Sequence, residues 1–457
     1  MFYILNENIA LRSYKLVPYC FLAKHRSTAI GLEEEEFKIL LKCDGKHELE
    51  YNDIIQNLLK RNLIKECQKG ELKLTQWQKH LKCRNRYIPM MNIQITGKCN
   101  YNCKHCFNCQ DNLPLQSEIS YENMLKLLSD CTKCGITSFT ITGGEPMMHP
   151  YFKEILSEIY KRNMFIFELN TNGYFINEDI LDFMLSINCK PLMKISFDGI
   201  GFHNWMRGNV LAEEKTISAI KLCIKKGFEV KVQLNVNKLN VDSIYPTTCF
   251  LDELGVKSTR IIKTIDTPRW VINSQDRGMN FYEYYDFALE FLKKYRKDKH
   301  NMNIILWQLL TYNPTSDYHS YDSYHEAQNY RLNQPICRSV RSMVAVASDG
   351  EVYPCMQMQG YMNENNISFG NVFKEGLANI LKEGLYIDTI CRSLQDKLNA
   401  DSKCKTCDFF GKCLGGYPCL AVLLYGGDIR YYLKEDRSKC IFLKEGYLEK
   451  FETMFKE

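Results

Sequence analysis

The tightest constraint on this chain is a run of three cysteines on one short loop, Cys99-Asn-Tyr-Asn-Cys103-Lys-His-Cys106, with C-x3-C-x2-C spacing. It follows Asn92-Ile-Gln-Ile-Thr96, an apolar stretch that reads as a strand. Three thiolates so placed can hold three corners of a 4Fe–4S cluster and leave the fourth iron without a protein ligand. An iron with an open position can bind a substrate or a second cofactor, which a site closed by four cysteines cannot do. A zinc knuckle, or a chance cluster in a cysteine-rich chain, is the competing reading of the same loop.

The loop sits at the head of an alternating pattern. Apolar runs predict strands at 92–96, 138–142, 165–169, 192–197, 229–236 and 259–264. Helical periodicity predicts helices near 120–134, 151–162, 178–187, 213–227 and 241–254. Such alternation implies βαβ units and a parallel sheet, with the chemistry at the C-terminal ends of the strands. Polar motifs fall at those ends. Thr142-Gly143-Gly144-Glu145-Pro146 follows the second strand; its glycines admit close backbone approach, and its carboxylate can accept from an ammonium. Asn170-Thr-Asn-Gly173 ends the third strand and suits either a ribose or substrate amide, or a plain turn. Ser196-Phe-Asp-Gly199 ends the fourth, with His203 and Arg207-Gly208 beyond it. Gln233, Asn235 and Asn237 alternate along the fifth and share a face.

The cysteine triplet, the Gly-Gly-Glu-Pro turn and the S-x-D-G…H…R-G segment together resemble the radical S-adenosylmethionine (SAM) superfamily. The resemblance implies an α/β fold built on a partial (β/α)6 TIM-type barrel, over residues 91–270. It implies that Cys99, Cys103 and Cys106 hold a 4Fe–4S cluster whose open iron chelates SAM, and that one electron cleaves SAM to a 5′-deoxyadenosyl radical. It assigns Gly143, Gly144 and Glu145 to the amino group of SAM, and Ser196 and Arg207 to its carboxylate or ribose. Asn235 is expected to face the ribose or the peptide. Asp198 and His203 are expected to be structural.

Cysteine usage extends the argument. The chain has 21 cysteines in 457 residues. Its N-terminus, Met-Phe-Tyr-Ile-Leu-Asn-Glu-Asn, lacks a basic n-region and a cleavage site, so a cytoplasmic location and metal ligation, not a disulfide framework, are expected. Seven cysteines are ordered near the C-terminus: Cys337, Cys355, Cys404, Cys407, Cys413, Cys419 and Cys440. Their spacing resembles the SPASM domain, placed at residues 331–457, with one departure: five residues, not three, separate Cys413 from Cys419. The resemblance implies one auxiliary 4Fe–4S cluster on Cys404, Cys407, Cys413 and Cys440. It implies a second on Cys337, Cys355 and Cys419, short of one ligand, since no cysteine lies between Cys249 and Cys337. Three clusters are then expected in all. Cys391, a substrate thiolate or a non-cysteine ligand are the candidates for the missing position; a zinc-ribbon domain is the alternative for the whole set.

Residues 1–90 precede the cluster motifs. Strands are expected at 9–17 and 19–23, helices at 31–42 and 51–61, and a small strand or wing at 63–64 and 72–74. This order resembles the winged-helix-like leader-peptide-recognition domain of peptide-modifying enzymes, which binds an extended leader at a sheet edge; a cap on the barrel and a DNA-binding winged helix are the alternatives. Residues 271–330 are expected to be a connector, with a helix at 281–296, a short helix over Trp307–Tyr312 and a polar aromatic stretch, Tyr318–His325. The formal charge of +5 is small for this length and predicts no nucleic-acid partner. No apolar run approaches the roughly 18 residues of a membrane span.

The whole pattern resembles a radical SAM/SPASM maturase of a ribosomally made peptide. That implies a precursor peptide with a leader, a flavodoxin or ferredoxin-type reductant, and a thioether (Cys S to C) or C–C cross-link. Peptide epimerisation, with Cys109 as a conceivable hydrogen donor, and formylglycine formation on a sulfatase are the alternatives within the enzyme class. An iron–sulfur redox relay or scaffold is the alternative outside it.

Overall fold

The computed structural model describes residues 1–110, 113–322, 330–337 and 343–457. The N-terminal unit comprises β1 (Phe2–Leu5), β2 (Ile9–Ser13), β3 (Cys20–Ala23), β4 (Ile30–Gly31), α1 (Glu34–Lys42), β5 (Asp44–Glu48), α2 (Asp53–Lys60), β6 (Ile64–Cys67) and β7 (Leu81–Lys82). These strands form two small sheets, ordered β5-β1-β6 and β4-β3-β2-β7. Local sequence sets the helices. Three glutamates fill the first turn of α1, where the helix dipole favours negative charge. The Asn52 side chain caps α2 by accepting from the Ile55 N–H at 2.9 Å. Phe37 and Leu40 of α1 and Ile55 and Leu58 of α2 pack with Tyr3 and Leu5 of β1. The strand expected at 72–74 does not form; that stretch passes so close to Gly45 that a Cβ there would lie 2.9 Å from the Leu72 carbonyl oxygen.

The barrel unit runs through β8 (Met90–Gln94), a ribbon of β9 (Cys109–Gln110) and β10 (Leu113–Pro114), α3 (Tyr121–Cys134), β11 (Ser138–Thr142), α4 (Phe152–Lys161) and β12 (Phe165–Thr171). It continues with α5 (Glu178–Ser186), β13 (Leu192–Ser196), α6 (His203–Arg207), α7 (Ala212–Lys225), β14 (Val230–Val236), α8 (Ile244–Glu253) and β15 (Ser258–Lys263). All six expected strands and all five expected helices are present, within a few residues of the expected ends.

The sheet does not stop at residue 270. After α9 (Pro268–Asn273) and α10 (Phe281–Lys297), β16 (Asn303–Leu306) adds a further parallel strand beside β15. Two antiparallel strands follow, β17 (Leu310–Asn313) and β18 (Tyr318–Tyr321). The stretch expected to be a connector therefore contributes three strands to the sheet. The short helix expected over Trp307–Tyr312 is instead a tight turn into β17, made by Gln308 at φ +58°. Of the polar stretch Tyr318–His325, the first part is β18, and residues 323–329 lie outside the described residues.

The C-terminal unit contributes β19 (Met343–Val346), parallel to β8, and β20 (Val352–Tyr353), antiparallel to β19. One sheet thus runs β18-β17-β16-β15-β14-β13-β12-β11-β8-β19-β20, parallel throughout from β19 to β16. The helices cover one face with a continuous apolar core that includes Leu127, Ile155, Met184, Ile220, Leu251 and Leu292. The other face is polar and lines a cavity. Among the described residues, no helix is long and apolar enough to cross a membrane.

Candidate active site

The cysteine loop leaves the C-terminal end of β8 and is gripped from two sides. The Asn102 and Lys104 N–H groups donate to the carbonyls of Arg207 (3.0 Å) and Met206 (2.9 Å). Arg269 on α9 donates to the Asn102 side-chain oxygen. Gly208, at φ +62°, lies so near that an added Cβ would sit 2.8 Å from the Asn102 carbonyl oxygen. The three thiols are partly exposed. The Tyr101 N–H donates to Cys99 Sγ at 3.4 Å, and Arg207 Nη1 reaches Cys103 Sγ at 3.7 Å. Burial pushes the Cys99 thiol up to about 12 and the Cys106 thiol well above its ordinary value, with Cys103 adding to both. Thiols in this state would become ligands by releasing their protons to solvent as the thiolates bind a cationic core.

The Gly-Gly turn packs directly on this loop. The Gly144 N–H donates to the Thr96 carbonyl at 2.7 Å, and the Glu145 N–H to the Lys98 carbonyl at 2.9 Å. A Cβ on Gly144 would fall 2.2 Å from the Lys98 oxygen, so only glycine fits. Gly143 and Gly144 line the cavity, but Glu145 lies outside its lining. The Glu145 carboxylate is fully buried and accepts from the Thr171 hydroxyl (2.9 and 3.0 Å), the Asn172 N–H (2.8 Å) and the Met147 N–H (3.2 Å). It holds the end of β12 to the turn. Burial pushes its carboxyl up to about 7, against those donors.

Asp198 and His203 are fully buried. Asp198 Oδ2 sits 2.6 Å from Arg207 Nε, close but without hydrogen-bond alignment, and its Oδ1 accepts from the Asn235 side-chain amide at 3.1 Å. Burial alone would raise the Asp198 carboxyl; the Arg207 guanidinium, with His203 and His105, outweighs it and holds the group well below the usual range. His203 Nδ1 accepts from the Asp198 N–H at 3.0 Å. Asn235 Nδ2 also lies 3.1 Å from His105 Nε2. Asp198 therefore orients both Arg207 and Asn235.

Cys99, Cys103 and Cys106 line one cavity of about 530 Å³ together with Gly143, Gly144, Ser196, Arg207 and Asn235. The same cavity is bordered by Cys337, Cys355 and Cys419. Burial and the neighbouring thiols push Cys419 well above its ordinary range, and burial takes Cys355 up to about 11. A second cavity, of about 230 Å³, is ringed by Cys404, Cys407, Cys413 and Cys440. The longer Cys413–Cys419 spacing is taken up by Leu414, Gly415 and Gly416, all at positive φ. A Cβ on Gly416 would strike the Asp436 side chain at 2.3 Å, and Cys419 follows on the helix Pro418–Leu424. Consecutive cysteines are thereby sent to different cavities. Cys391 and Cys109 line neither; Cys109 is fully buried and its thiol donates to the Cys106 carbonyl at 3.2 Å.

Among the described residues, no three His, Cys, Asp or Glu side chains converge tightly enough to grip a single ion. The thiols ring cavities instead, and three or four sulfurs around a void fit a multi-iron cluster better than one zinc. The cavity wall also carries groups the sequence reading passed over: Glu168, Lys194, Lys231 and Arg260. The available signal was parity, because Lys194 and Lys231 lie two residues before Ser196 and Gln233 and so face the same side of the sheet.

The radical SAM superfamily profile matches residues 93–243, and the SPASM iron–sulfur cluster-binding domain profile matches residues 337–408. The antilisterial bacteriocin subtilosin biosynthesis protein AlbA of Bacillus subtilis is 23% identical over 327 residues, 71% of this chain and 66% of AlbA. An AdoMet-dependent heme synthase of Methanosarcina barkeri is 22% identical over 330 residues, 70% of this chain and 89% of that protein. The crystal structure of Streptococcus suis SuiB bound to S-adenosylmethionine superposes with a TM-score of 0.63 at 14% identity, covering 95% of this chain and 99% of that one.

Proposed function

From a chain that carries a radical SAM domain followed by a SPASM iron–sulfur domain, we propose a peptide maturase that cross-links a ribosomally made precursor, through a thioether from cysteine sulfur to carbon or through a C–C bond. The observation that carries this reading is the single cavity bordered at once by the cysteine triplet, the Gly-Gly turn and a second set of three cysteines. Such a cavity puts a bound substrate within reach of a radical source and of an electron acceptor.

In this reading Cys99, Cys103 and Cys106 hold the cluster that binds SAM, and Gly143 and Gly144 let SAM lie close to the strand end. Ser196, Arg207 and Asn235 orient SAM, with Asp198 fixing the last two. Cys337, Cys355 and Cys419 hold one auxiliary cluster, and Cys404, Cys407, Cys413 and Cys440 the other. Bound there, these groups supply a 5′-deoxyadenosyl radical and a sink for the leftover electron. The two-set split of the C-terminal cysteines over two cavities supports the cluster assignment.

The N-terminal unit is assigned to the leader. β5 and β6 are the edge strands of the β5-β1-β6 sheet, where an extended peptide can add as a strand; the Gly45 carbonyl of β5 already accepts from the Gly70 N–H at 2.8 Å, which favours the β6 edge. The superposition on SuiB leaves only 5% of this chain uncovered, so most of the N-terminal unit falls within the shared fold. A related SuiB structure is bound to its precursor peptide, SuiA. A flavodoxin or ferredoxin-type protein is the proposed reductant. Epimerisation has less support, because Cys109 is buried away from the cavity.

The test is the intact mass of a candidate precursor, taken from a short reading frame beside this gene, after anaerobic incubation with SAM and reductant in deuterated water. A product lighter by two hydrogens per event, absent with Cys99→Ala, supports cross-linking. Deuterium gain without oxidation points to epimerisation. Absence of 5′-deoxyadenosine with dithionite and SAM would sink the enzyme reading altogether.

A further inference from the structure

The cavity contains a charge arrangement that the assignments above do not use. Lys194 on β13 and Lys231 on β14 are direct cross-strand neighbours in the parallel register. Both line the cavity, as does Arg260 on β15, which pairs in register with Gln233 of β14. Like charges side by side on one face of a sheet are destabilising, and partial burial makes the repulsion worse. Lys194 has a counter-ion in Glu168, at 3.3 Å. Among the described residues, Lys231 and Arg260 make no ion pair; the Arg260 guanidinium stands 5.9 Å above the Trp307 ring. Asp322 is the other carboxylate on the wall, and Arg260 feels both it and Glu168. Three cations then face two carboxylates, since Arg207 is matched by Asp198. Burial and the neighbouring Lys194 pull the Lys231 ammonium down to about 8, the response of a cation short of negative partners.

Resting on the peptide reading above, we propose that Lys231 and Arg260, with Lys194 beside them, form a subsite for a carboxylate of the peptide substrate, either an Asp or Glu side chain or a C-terminal carboxylate. The carboxylate of SAM does not fill this role. In the reading above Arg207 and Ser196 take the carboxylate or ribose of SAM, and Lys194 lies two residues further down β13, about 6.6 Å along the strand. The substrate occupies the space between the two cysteine sets, where these cations stand. A guanidinium takes a carboxylate through two parallel N–H bonds, which fixes orientation as well as charge. The rival claimant on the same charge is the auxiliary cluster at Cys355, whose thiol also feels Arg260 and Lys194.

The experiment uses reconstituted, SAM-loaded protein under anaerobic calorimetry with three probes: acetyl-Ala-Glu-Ala-amide, acetyl-Ala-Gln-Ala-amide, and acetyl-Ala-Gln-Ala with a free carboxyl terminus. At least one carboxylate probe is expected to bind about tenfold more tightly than the neutral one, roughly the 1.4 kcal/mol of one charge-assisted contact. Which probe wins tells side chain from terminus. In Lys231→Gln and in Arg260→Gln that preference is expected to shrink to about twofold, with iron per chain unchanged as the check on folding. Equal binding of all three probes to the wild type overturns the inference, and so does a preference that survives both substitutions. A shift in the auxiliary-cluster midpoint potential with probe preference intact gives the cations to the cluster and also overturns it. Failure of the peptide reading shows separately, as an unmodified precursor with probe preference still present.

Discussion

Glu145 is a carboxyl group shut away from water, and its surroundings make a pH-dependent contribution to folding. Its folded pKa, raised to about 7 by burial, exceeds the unfolded value near 4.3. Between about pH 4 and pH 7 the folded state therefore holds a proton that the unfolded state has lost, so stability falls as pH rises through that window, by on the order of 3 kcal/mol. Glu145→Gln should flatten this fall; anaerobic thermal unfolding of both proteins across the window measures it, and parallel slopes would remove the account. At Asp198 the sign is opposite. Its folded pKa is depressed by Arg207, so its contribution is present above the unfolded value and is lost only in strong acid. Asp198→Asn leaves the Arg207 charge buried without its partner and is expected to cost about 3–5 kcal/mol, read as a large drop in melting temperature, with weaker SAM binding as Arg207 and Asn235 lose their anchor. Neither carboxyl's environment was legible in the sequence. The Gly-Gly-Glu-Pro spelling marked the turn correctly, but that Glu145 faces Thr171 and Asn172, not the cavity, depends on how β12 lands beside β11.

Short elements hold the cysteine loop. α6 and its terminal Gly208 press on it from one side and α9 from the other, through Arg269. Gly208→Ala combines a left-handed backbone, costing about 1–2 kcal/mol for an L-residue, with a Cβ 2.8 Å from the Asn102 oxygen. The expected result is reconstituted protein that lacks one cluster's share of iron while its remaining clusters keep their EPR signals; full iron content would refute the clamp. At this scale the sequence was informative where periodicity was strong. Strands β11 to β15 and helices α3, α4, α5, α7 and α8 were readable because their apolar runs and periodicity are regular; the five-residue α6 was not. The hairpin after β16 was not readable. Gln308 takes a left-handed conformation at its turn, a role with no signal in that residue type, and Trp307-Gln-Leu-Leu-Thr-Tyr312 carries enough apolar residues to suit a helix. The two cysteine groups were legible in spacing, whereas the cations between them needed the register of β13 against β14.

For the whole molecule, the joining of C-terminal unit to barrel matters most. β19 hydrogen-bonds to β8, the strand that launches the cysteine loop, and Ser117 meets Ser348 across the same junction at 2.6 Å. A chain ending at residue 330 would leave the β8 edge open and its apolar neighbours uncovered, so it is expected to aggregate, whereas the full chain remains monodisperse in gel filtration. A truncated chain that stays monodisperse and binds SAM would show that the barrel stands alone. The pairing also has a consequence for biosynthesis. β8 leaves the ribosome well before β19, with nearly 250 residues between Gln94 and Met343. At roughly 5–20 residues per second, that is a delay of about 12–50 s during which the first strand waits for its neighbour. The cysteine loop therefore waits for β19 before it can reach its final form, and in the proposed reading delivery of iron and sulfide to it belongs after β19 has emerged.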